Sequence, residues 1–411
     1  MQSQRHHDGP RDLGNPAGAG VLRHANRRDM LRLLAQQASC SRAELGAALG
    51  LTGAAVSRIT RELISAGLVT EGLPLKQKGS LGRRSTRLAL NPHGGVVLAV
   101  TLTANRLQAS LNCLDGSRIA AHDLPSAQGL APDAVVAQLA DHCDQLLRDR
   151  QLSSPLAVGI SVATTGRAEQ SKGLVTSHLL GWQDVPVASV FEQRFNCPVT
   201  IESRPTGLLR AEINAGQVTP TDRVLLVNVG VGIGMAYSFD GNSPVSSQGG
   251  LGNLAHFKHP DSDVGCDCGR TGCLQQCASG VAVVRLLNAV KPNPQEPMSY
   301  YNPYLHDAIA RAEQGDQAAK DAFYTAGAHL AAGLDAAHAL LDPHQIILAG
   351  EAGRQADFVE GVRNALDKVG GPLQQHQLRI SQVTSDQAAA CIALDAHVLG
   401  SSPHDTGGVA P

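Results

Sequence analysis

The sequence predicts an α/β body preceded by a small, basic, mostly helical unit. Three observations carry that prediction. From about residue 93 onward, strand-like apolar runs such as LAVGISVA, PVTIES and QIILAG alternate with helical stretches, the pattern of an α/β protein. Residues 1–92 hold 14 Lys+Arg against 6 Asp+Glu and the remainder 20 against 30, so a head of net +8 is joined to a body of net −10. A chain of 411 residues exceeds one ordinary domain and divides into two or three compact units.

Residues 1–20 are polar and rich in Gly and Pro, the composition of a flexible tail. A first helix is expected over 21–38, punctuated by Leu22, Met30, Leu31, Leu33 and Leu34. Ser41 caps a second, SRAELGAALG, with Glu44 completing a capping box, and Gly50 ends it. Thr52 caps a third helix, in which Val56, Ile59 and Leu63 form the buried stripe and Gly53, Ala55, Ser57, Arg58 and Arg61 the opposite surface. Helix, glycine turn and a second helix opening on small and basic residues make a helix-turn-helix, in which small residues admit the helix to base edges and arginines bind guanine or phosphate. The following segment carries Lys76, Lys78, Arg83, Arg84 and Arg87 among glycines between two expected strands. Alone, such a run reads as a solvated surface; directly behind a helix-turn-helix it reads as a basic wing lying along a duplex.

In the body, two alternating strands and a turn are expected from 95 to 116, then a helix over 132–148 and strands at LAVGISVA and PVTIES with a helix at VASVFEQRF between them. A glycine-broken strand pair, VLLVNVGVGIGMAYSF, precedes helices near 281–290, 304–314 and 317–341, the strand QIILAG and a last helix over 385–399.

Between 249 and 280 the run GGLGNLAHFKHPDSDVGCDCGRTGCLQQCASG sets His256, Cys266, Cys268 and Cys273 at H-x9-C-x-C-x4-C. One imidazole and three thiols are a Cys3His zinc set, and four protein ligands leave no open position, so the predicted Zn2+ is structural. Cys277, four residues past Cys273 on an expected helix, would sit near the metal without being a main ligand, and the histidines at 259, 306, 338 and 344 show no ligand spacing.

The same run resembles the signature of the ROK family of repressors, open reading frames and kinases, through Gly252, His256, Cys266, Cys268, Gly269, Gly272, Cys273, Leu274, Ser279 and Gly280. Similarity extends from about residue 25 to 400. The resemblance implies an actin-like, two-lobed sugar-kinase body behind a winged helix, whose closing Gly-Arg is Gly82–Arg83 here. The expected organisation is a tail at 1–20, the winged head at 21–92, an effector-binding body at 93–400 and a second tail at 401–411. Within the body, lobe one is expected at about 93–205 and 383–400, and lobe two at about 206–382.

Where the family's kinases place an Asp-x-Gly-Gly-Thr-Lys phosphate turn, this chain has Thr101, Leu102, Thr103, Ala104, Asn105 and Arg106. The second and third family turns survive as Gly230, Gly232 and Gly234, and as Gly350 and Gly353. At the family's Asn-Asp pair, whose aspartate is the base, stand Ser203 and Arg204, and an arginine cannot accept a proton near neutral pH. The family's sugar-contacting glutamates are Asn253 and Gln275. The effector set implied by the resemblance is Ser203, Arg204, Asn253, His256 and Gln275.

The sequence therefore points away from an enzyme and toward a transcriptional regulator, most simply a repressor, with double-stranded operator DNA and a sugar, sugar phosphate or related metabolite as partners. A sugar kinase with an added head is the alternative. Homodimers or dimers of dimers are implied by the recognition mode and by the family resemblance. No window approaches eighteen apolar residues and no signal-peptide core opens the chain, so a cytoplasmic protein without membrane contact is expected. The nine cysteines show no disulfide framework, in keeping with a reducing compartment.

Overall fold

The computed structural model describes residues 16–37, 39–72, 86–103, 107–124, 130–162, 166–177, 181–218, 222–239, 253–266, 268–288, 298–370 and 377–399. The chain separates into two compact units, Met1–Leu90 with Leu399–Pro411, and Asn91–Val398.

In the first unit, α1 (Pro16–Gln36) begins upstream of the expected position and buries Met30, Leu31 and Leu34. A short strand β1 (Cys40–Ser41) leads into α2 (Arg42–Leu49). The capping box forms as expected: Ser41 N donates to Glu44 Oε2 at 2.7 Å and Glu44 N to Ser41 Oγ at 3.2 Å. Gly50 closes the helix at φ 64°, the left-handed conformation that favours glycine. Helix α3 (Gly53–Ser65) is capped by Thr52 Oγ1, which accepts from Ala55 N at 3.3 Å, and buries Val56, Ile59, Thr60 and Leu63. Strands β2 (Val69–Gly72) and β3 (Arg87–Leu90) pair antiparallel in a small sheet of order β1-β3-β2. The segment joining β2 to β3 is where the wing cations were expected. Lys76, Lys78, Gly82, Arg83 and Arg84 lie outside the described residues, as do residues 1–15 and 400–411.

The second unit is built on two sheets of related pattern. The first takes β4 (Val96–Leu102), β5 (Leu107–Cys113) and β6 (Arg118–Leu124), then, after α4 (Pro132–Asp149), β7 (Val158–Val162). A small antiparallel sheet of β8 (Gly166–Glu169), β9 (Leu174–Ser177) and β10 (Trp182–Pro186) intervenes before α5 (Val187–Phe195) and β11 (Val199–Ser203). The order is β11-β7-β4-β5-β6, with β11, β7 and β4 parallel and β5 and β6 antiparallel. Helix α6 (Arg204–Asn214) leads to the second sheet through β12 (Val224–Val229) and β13 (Ile233–Ser238).

Helices α7 (Leu274–Cys277), α8 (Gly280–Leu286), α9 (Asn302–Glu313) and α10 (Gln317–Leu341) precede β14 (Gln345–Ala349), α11 (Ala356–Val369), β15 (Leu378–Ile380) and α12 (Ser385–Ala393). The second sheet has order β13-β12-β14-β15, again an antiparallel hairpin followed by parallel strands. The expected last helix is α-helical only to Ala393, and Leu394–Leu399 continues as a wider π turn.

The β5 sequence does alternate, with Leu107, Ala109 and Leu111 in the apolar core, yet Gln108, Ser110 and Asn112 on its other face are buried as well. They stay satisfied because Gln108 Nε2 donates to Asp123 Oδ1 at 2.8 Å, Asn112 Nδ2 to Ser110 Oγ at 3.1 Å and Ser110 Oγ to the Ala99 carbonyl at 3.4 Å. Helix α12 lies on this sheet because small residues let backbones meet. A Cβ on Gly159 would stand 2.4 Å from the Ala389 carbonyl, and one on Gly207 of α6 would stand 2.9 Å from that of Ala388. Helix α6 in turn sends Leu208, Leu209 and Ile213 into a core with Leu226 of β12 and Ile347 of β14. The pair α6 and α12 thereby joins the two sheets.

Candidate functional site

The metal loop forms because its backbone crosses itself. His259 N donates to the Gly272 carbonyl at 2.7 Å, Leu274 N to that of Phe257 at 2.9 Å, and Gly272 N to that of Val264 at 2.8 Å. Within it Cys266 N reaches the Arg270 carbonyl at 2.8 Å, a tight turn closed by Gly269 at φ 82°. Gly272, at φ 75°, has no room for a side chain, since a Cβ would lie 2.2 Å from the Ser262 carbonyl.

This folding brings His256, Cys266, Cys268 and Cys273 together, their ligand atoms all within 4.8 Å of one another, a set that could hold a metal ion. His256 Nδ1 lies 3.7 Å from Cys266 Sγ, and Cys268 Sγ lies 3.6 Å from Cys273 Sγ. Burial pushes the Cys273 and Cys266 thiols upward. At Cys268 desolvation also opposes ionisation, but hydrogen bonds from the Arg270 side chain and backbone and from the neighbouring thiols bring it down to about 7. Cys268 is thus the thiol most ready to ionise, and a metal must displace the protons of the others. Arg270 was missed in the sequence, where its only signal is a cation two residues after a ligand cysteine. Cys277 is not a member of the set: it is buried and its thiol donates to the Cys273 carbonyl at 3.7 Å.

Of the effector set, Ser203 and Arg204 lie at the β11–α6 junction. Ser203 Oγ caps α6, accepting from Thr206 N at 3.4 Å, and contacts Thr206 Oγ1 at 2.8 Å. The half-buried Arg204 donates from Nη2 to Ser385 Oγ on α12 at 2.5 Å. Asn253 is exposed and precedes the single 3-10 turn Leu254–His256 that carries the histidine. Gln275 is buried: its Oε1 accepts from Ile233 N at 3.0 Å, and its Nε2 donates to the Val231 carbonyl and Ser279 Oγ, both at 3.4 Å. It braces the glycine turn between β12 and β13.

That turn is also tied to α8, with Gly280 N bonded to the Gly230 carbonyl at 2.8 Å and Val281 N to that of Val231 at 3.2 Å. Packing alone accounts for the glycines after β14: a Cβ on Gly350 would stand 2.3 Å from the Val229 carbonyl, and one on Gly353 2.5 Å from that of Ala349. Thr101 and Thr103 are buried at the end of β4, and Ala104, Asn105 and Arg106 lie outside the described residues. Trp182 belongs to the core of the first sheet.

On α3, Thr52, Gly53, Arg58 and Arg61 are exposed and Ala55 and Ser57 half-buried, opposite the buried Val56, Ile59 and Leu63. Ala54, not selected from the sequence, is also exposed and falls one turn before Arg58 on the same face. Arg87, grouped with the wing cations, does other work: its guanidinium holds Ser39 Oγ at 2.8 Å and the Ser39 carbonyl at 2.5 Å, and pairs with Glu44 at 3.2 Å. Its place in the middle of the small sheet, rather than on the loop, explains the difference.

Comparison with known proteins follows the same division. The profile described as winged helix-turn-helix DNA-binding matches residues 23–70, and that of the ROK family matches 97–394. A xylose repressor of Caldicellulosiruptor bescii is 24% identical, the match covering 91% of this chain and 96% of that protein. The DNA-binding transcriptional dual regulator NagC of Escherichia coli is 26% identical over 84% of each chain.

Among solved structures, a ROK family transcriptional regulator homologous to the E. coli Mlc protein superposes with TM-score 0.72 at 22% identity, covering 90% of this chain and 96% of that one. A ROK family glucokinase from Streptomyces griseus, solved with glucose and AMPPNP, superposes with TM-score 0.58 at 20% identity, covering 73% and 98%. The kinase shares the fold of the body. The chain belongs to the ROK family, as a DNA-binding transcriptional repressor with a winged helix-turn-helix ahead of the sugar-kinase-like body.

Proposed function

We propose that this repressor binds its operator through α3 and the segment joining β2 to β3, and senses a sugar or sugar derivative in a body that has lost catalysis. The head is assigned to 21–92 and the two lobes to about 93–205 with 383–400 and about 206–382. One observation carries the non-catalytic reading: the carboxyl end of β11, where the family's kinases keep a carboxylate base, presents the Ser203 hydroxyl as a helix cap and the Arg204 guanidinium bonded to Ser385. Neither group accepts a proton from a sugar hydroxyl near neutral pH.

The cap Thr52 and Gly53, Ala55, Ser57, Arg58 and Arg61 of α3 are offered to the major groove, and Lys76, Lys78, Arg83 and Arg84 to phosphates. Two copies are needed to read a palindromic site in adjacent grooves. Ligand binding draws the lobes together and releases DNA in proportion to the ligand's preference for the closed form.

The loop metal is zinc in this reading, held by His256, Cys266, Cys268 and Cys273. With Zn–S near 2.3 Å and Zn–N near 2.0–2.1 Å, a tetrahedral ion spaces its sulfurs about 3.8 Å apart and sulfur from nitrogen about 3.5 Å. The 3.6 and 3.7 Å spans fit that shell. Four protein ligands close the shell, so the metal's contribution is to fix the loop bearing Asn253 and His256.

Two measurements test the reading. Selection of bound genomic fragments should return a defined palindrome that a sugar-class metabolite releases without ATP. Purified protein should not phosphorylate sugars, and ATP-dependent phosphorylation that Arg204→Ala abolishes would overturn the non-catalytic assignment.

A further inference from the structure

We propose that His122 and His142 form a second metal site, which takes an exchangeable divalent cation of the zinc, nickel or copper class and ties α4 to the edge of the first sheet. Their Nδ1 atoms stand 3.2 Å apart. The two rings meet edge to face, 80° between their planes and 5.3 Å between their centroids. Both belong to elements remote in sequence from the loop that carries Cys266, Cys268 and Cys273.

Apolar packing places both rings. On β6, Ala120 and Leu124 stand two residues either side of His122 and pack on the core of the first sheet, so strand alternation turns His122 to that same face. On α4, Leu139 and Leu146 are buried three residues before and four after His142, which therefore sits at the margin of the buried stripe. The helix carries its ring onto the ring of the strand, and both side chains stay half-buried. Because each ring is set by a core element, a bound ion orders little that is not already ordered.

The chemistry of the pair favours a cation. An Nδ1–Nδ1 contact is a hydrogen bond only when one of the two nitrogens carries a proton and the other does not. A metal ion uses the lone pairs of both. With metal–nitrogen bonds near 2.0–2.1 Å, a tetrahedral ion holds two imidazole nitrogens about 3.3 Å apart, and one with right-angled ligands about 2.9 Å apart. The 3.2 Å span lies between them. Imidazole suits zinc, copper and nickel. Two protein ligands leave the other positions to water, so this ion exchanges, unlike one closed in by four ligands. Strand β6 ends the sheet order β11-β7-β4-β5-β6, with β5 as its neighbour, and the ion adds a second restraint from α4.

The test is calorimetric titration with Ni2+ of tag-free, full-length protein already given one equivalent of zinc. Wild type should bind one more equivalent of nickel than His122→Gln or His142→Gln, or bind it at least tenfold more tightly, with zinc content equal in all three. Either variant alone suffices for the comparison. Hydrogen exchange of the wild type reads the site without any substitution: nickel should slow the amides of β6 and α4 more than those of the rest of the body. Nickel binding equal in wild type and variants, or slowing centred on other elements, would overturn the assignment.

Discussion

The Cys–His loop and the carboxyl edge of the first sheet keep different parts of the family pattern. In the loop, every ligand type and spacing of the ROK signature is present, and the backbone crossing at Gly272 brings the four donor atoms within 4.8 Å. At the sheet edge the geometry of strand, cap and helix persists, but Ser203 caps and Arg204 bonds α12 where a kinase needs a base. The difference teaches that local backbone geometry and the chemistry it carries are separable: one depends on hydrogen bonds and close backbone packing, the other on a single ionisable group. A regulator can keep the first and discard the second.

The largest effect expected from breaking this comparison is at the loop. Cys273→Ser should lower metal affinity by two orders of magnitude or more, read by metal analysis, and should also lower the melting temperature of the body, because metal binding and loop folding are linked. Next comes α12. Gly159→Ala forces a methyl onto the Ala389 carbonyl and should cost about 1–3 kcal/mol in urea unfolding. Gly230→Ala, with nothing within 4 Å of its added methyl, should cost well under half of that. Equal costs at the two positions would mean that α12 is not the close-packed element argued for here.

Smaller in energy is the reading surface, which bears on neither region and so locates the DNA contact elsewhere. Arg58→Ala and Arg61→Ala should each weaken operator binding about tenfold, and a phosphate contact among them should reduce the salt slope by about 1, measured by fluorescence anisotropy across ionic strengths. The smallest effect concerns Glu44, whose carboxyl is held below its ordinary range, first by the backbone hydrogen bond from Ser41. A depressed folded-state pKa gives stability that is present above the unfolded value near 4.5 and lost as pH falls through the folded one. Glu44→Gln should flatten that acid-side loss in a pH series of thermal melts.

Much of this was legible in the sequence. The capping box at Ser41 and Glu44, the Thr52 cap, the spacing of the apolar stripe of α3 and the His256–Cys273 ligand spacing all lie within short stretches of chain, which local pattern records. What escaped depends on long-range contact. Arg87 looked like a wing cation because nothing nearby in sequence reveals that Ser39 will receive it. Gln275 looked available to a ligand, yet it is spent on Ile233 and Val231, some forty residues earlier. Gly350 and Gly353, read as remnants of a family turn, are required by packing: the first by the Val229 carbonyl of β12, the second by the Ala349 carbonyl at the end of β14. Strand β6, the small sheet of β8 to β10 and β15 were not anticipated, their polar or short runs lacking a clear period; α11 was missed although Phe358, Val359, Val362 and Leu366 recur at helical spacing and are buried.

The claim on which the account turns is that recognition and sensing occur without turnover. It is tested most directly by following fluorescence anisotropy of a selected operator fragment bound to zinc-loaded, full-length protein while metabolites are added in the absence of ATP. Saturable release by a sugar-class ligand is expected, with binding reduced in Arg58→Ala and the ligand recovered unmodified. Release that requires ATP, or a ligand recovered phosphorylated, would contradict it.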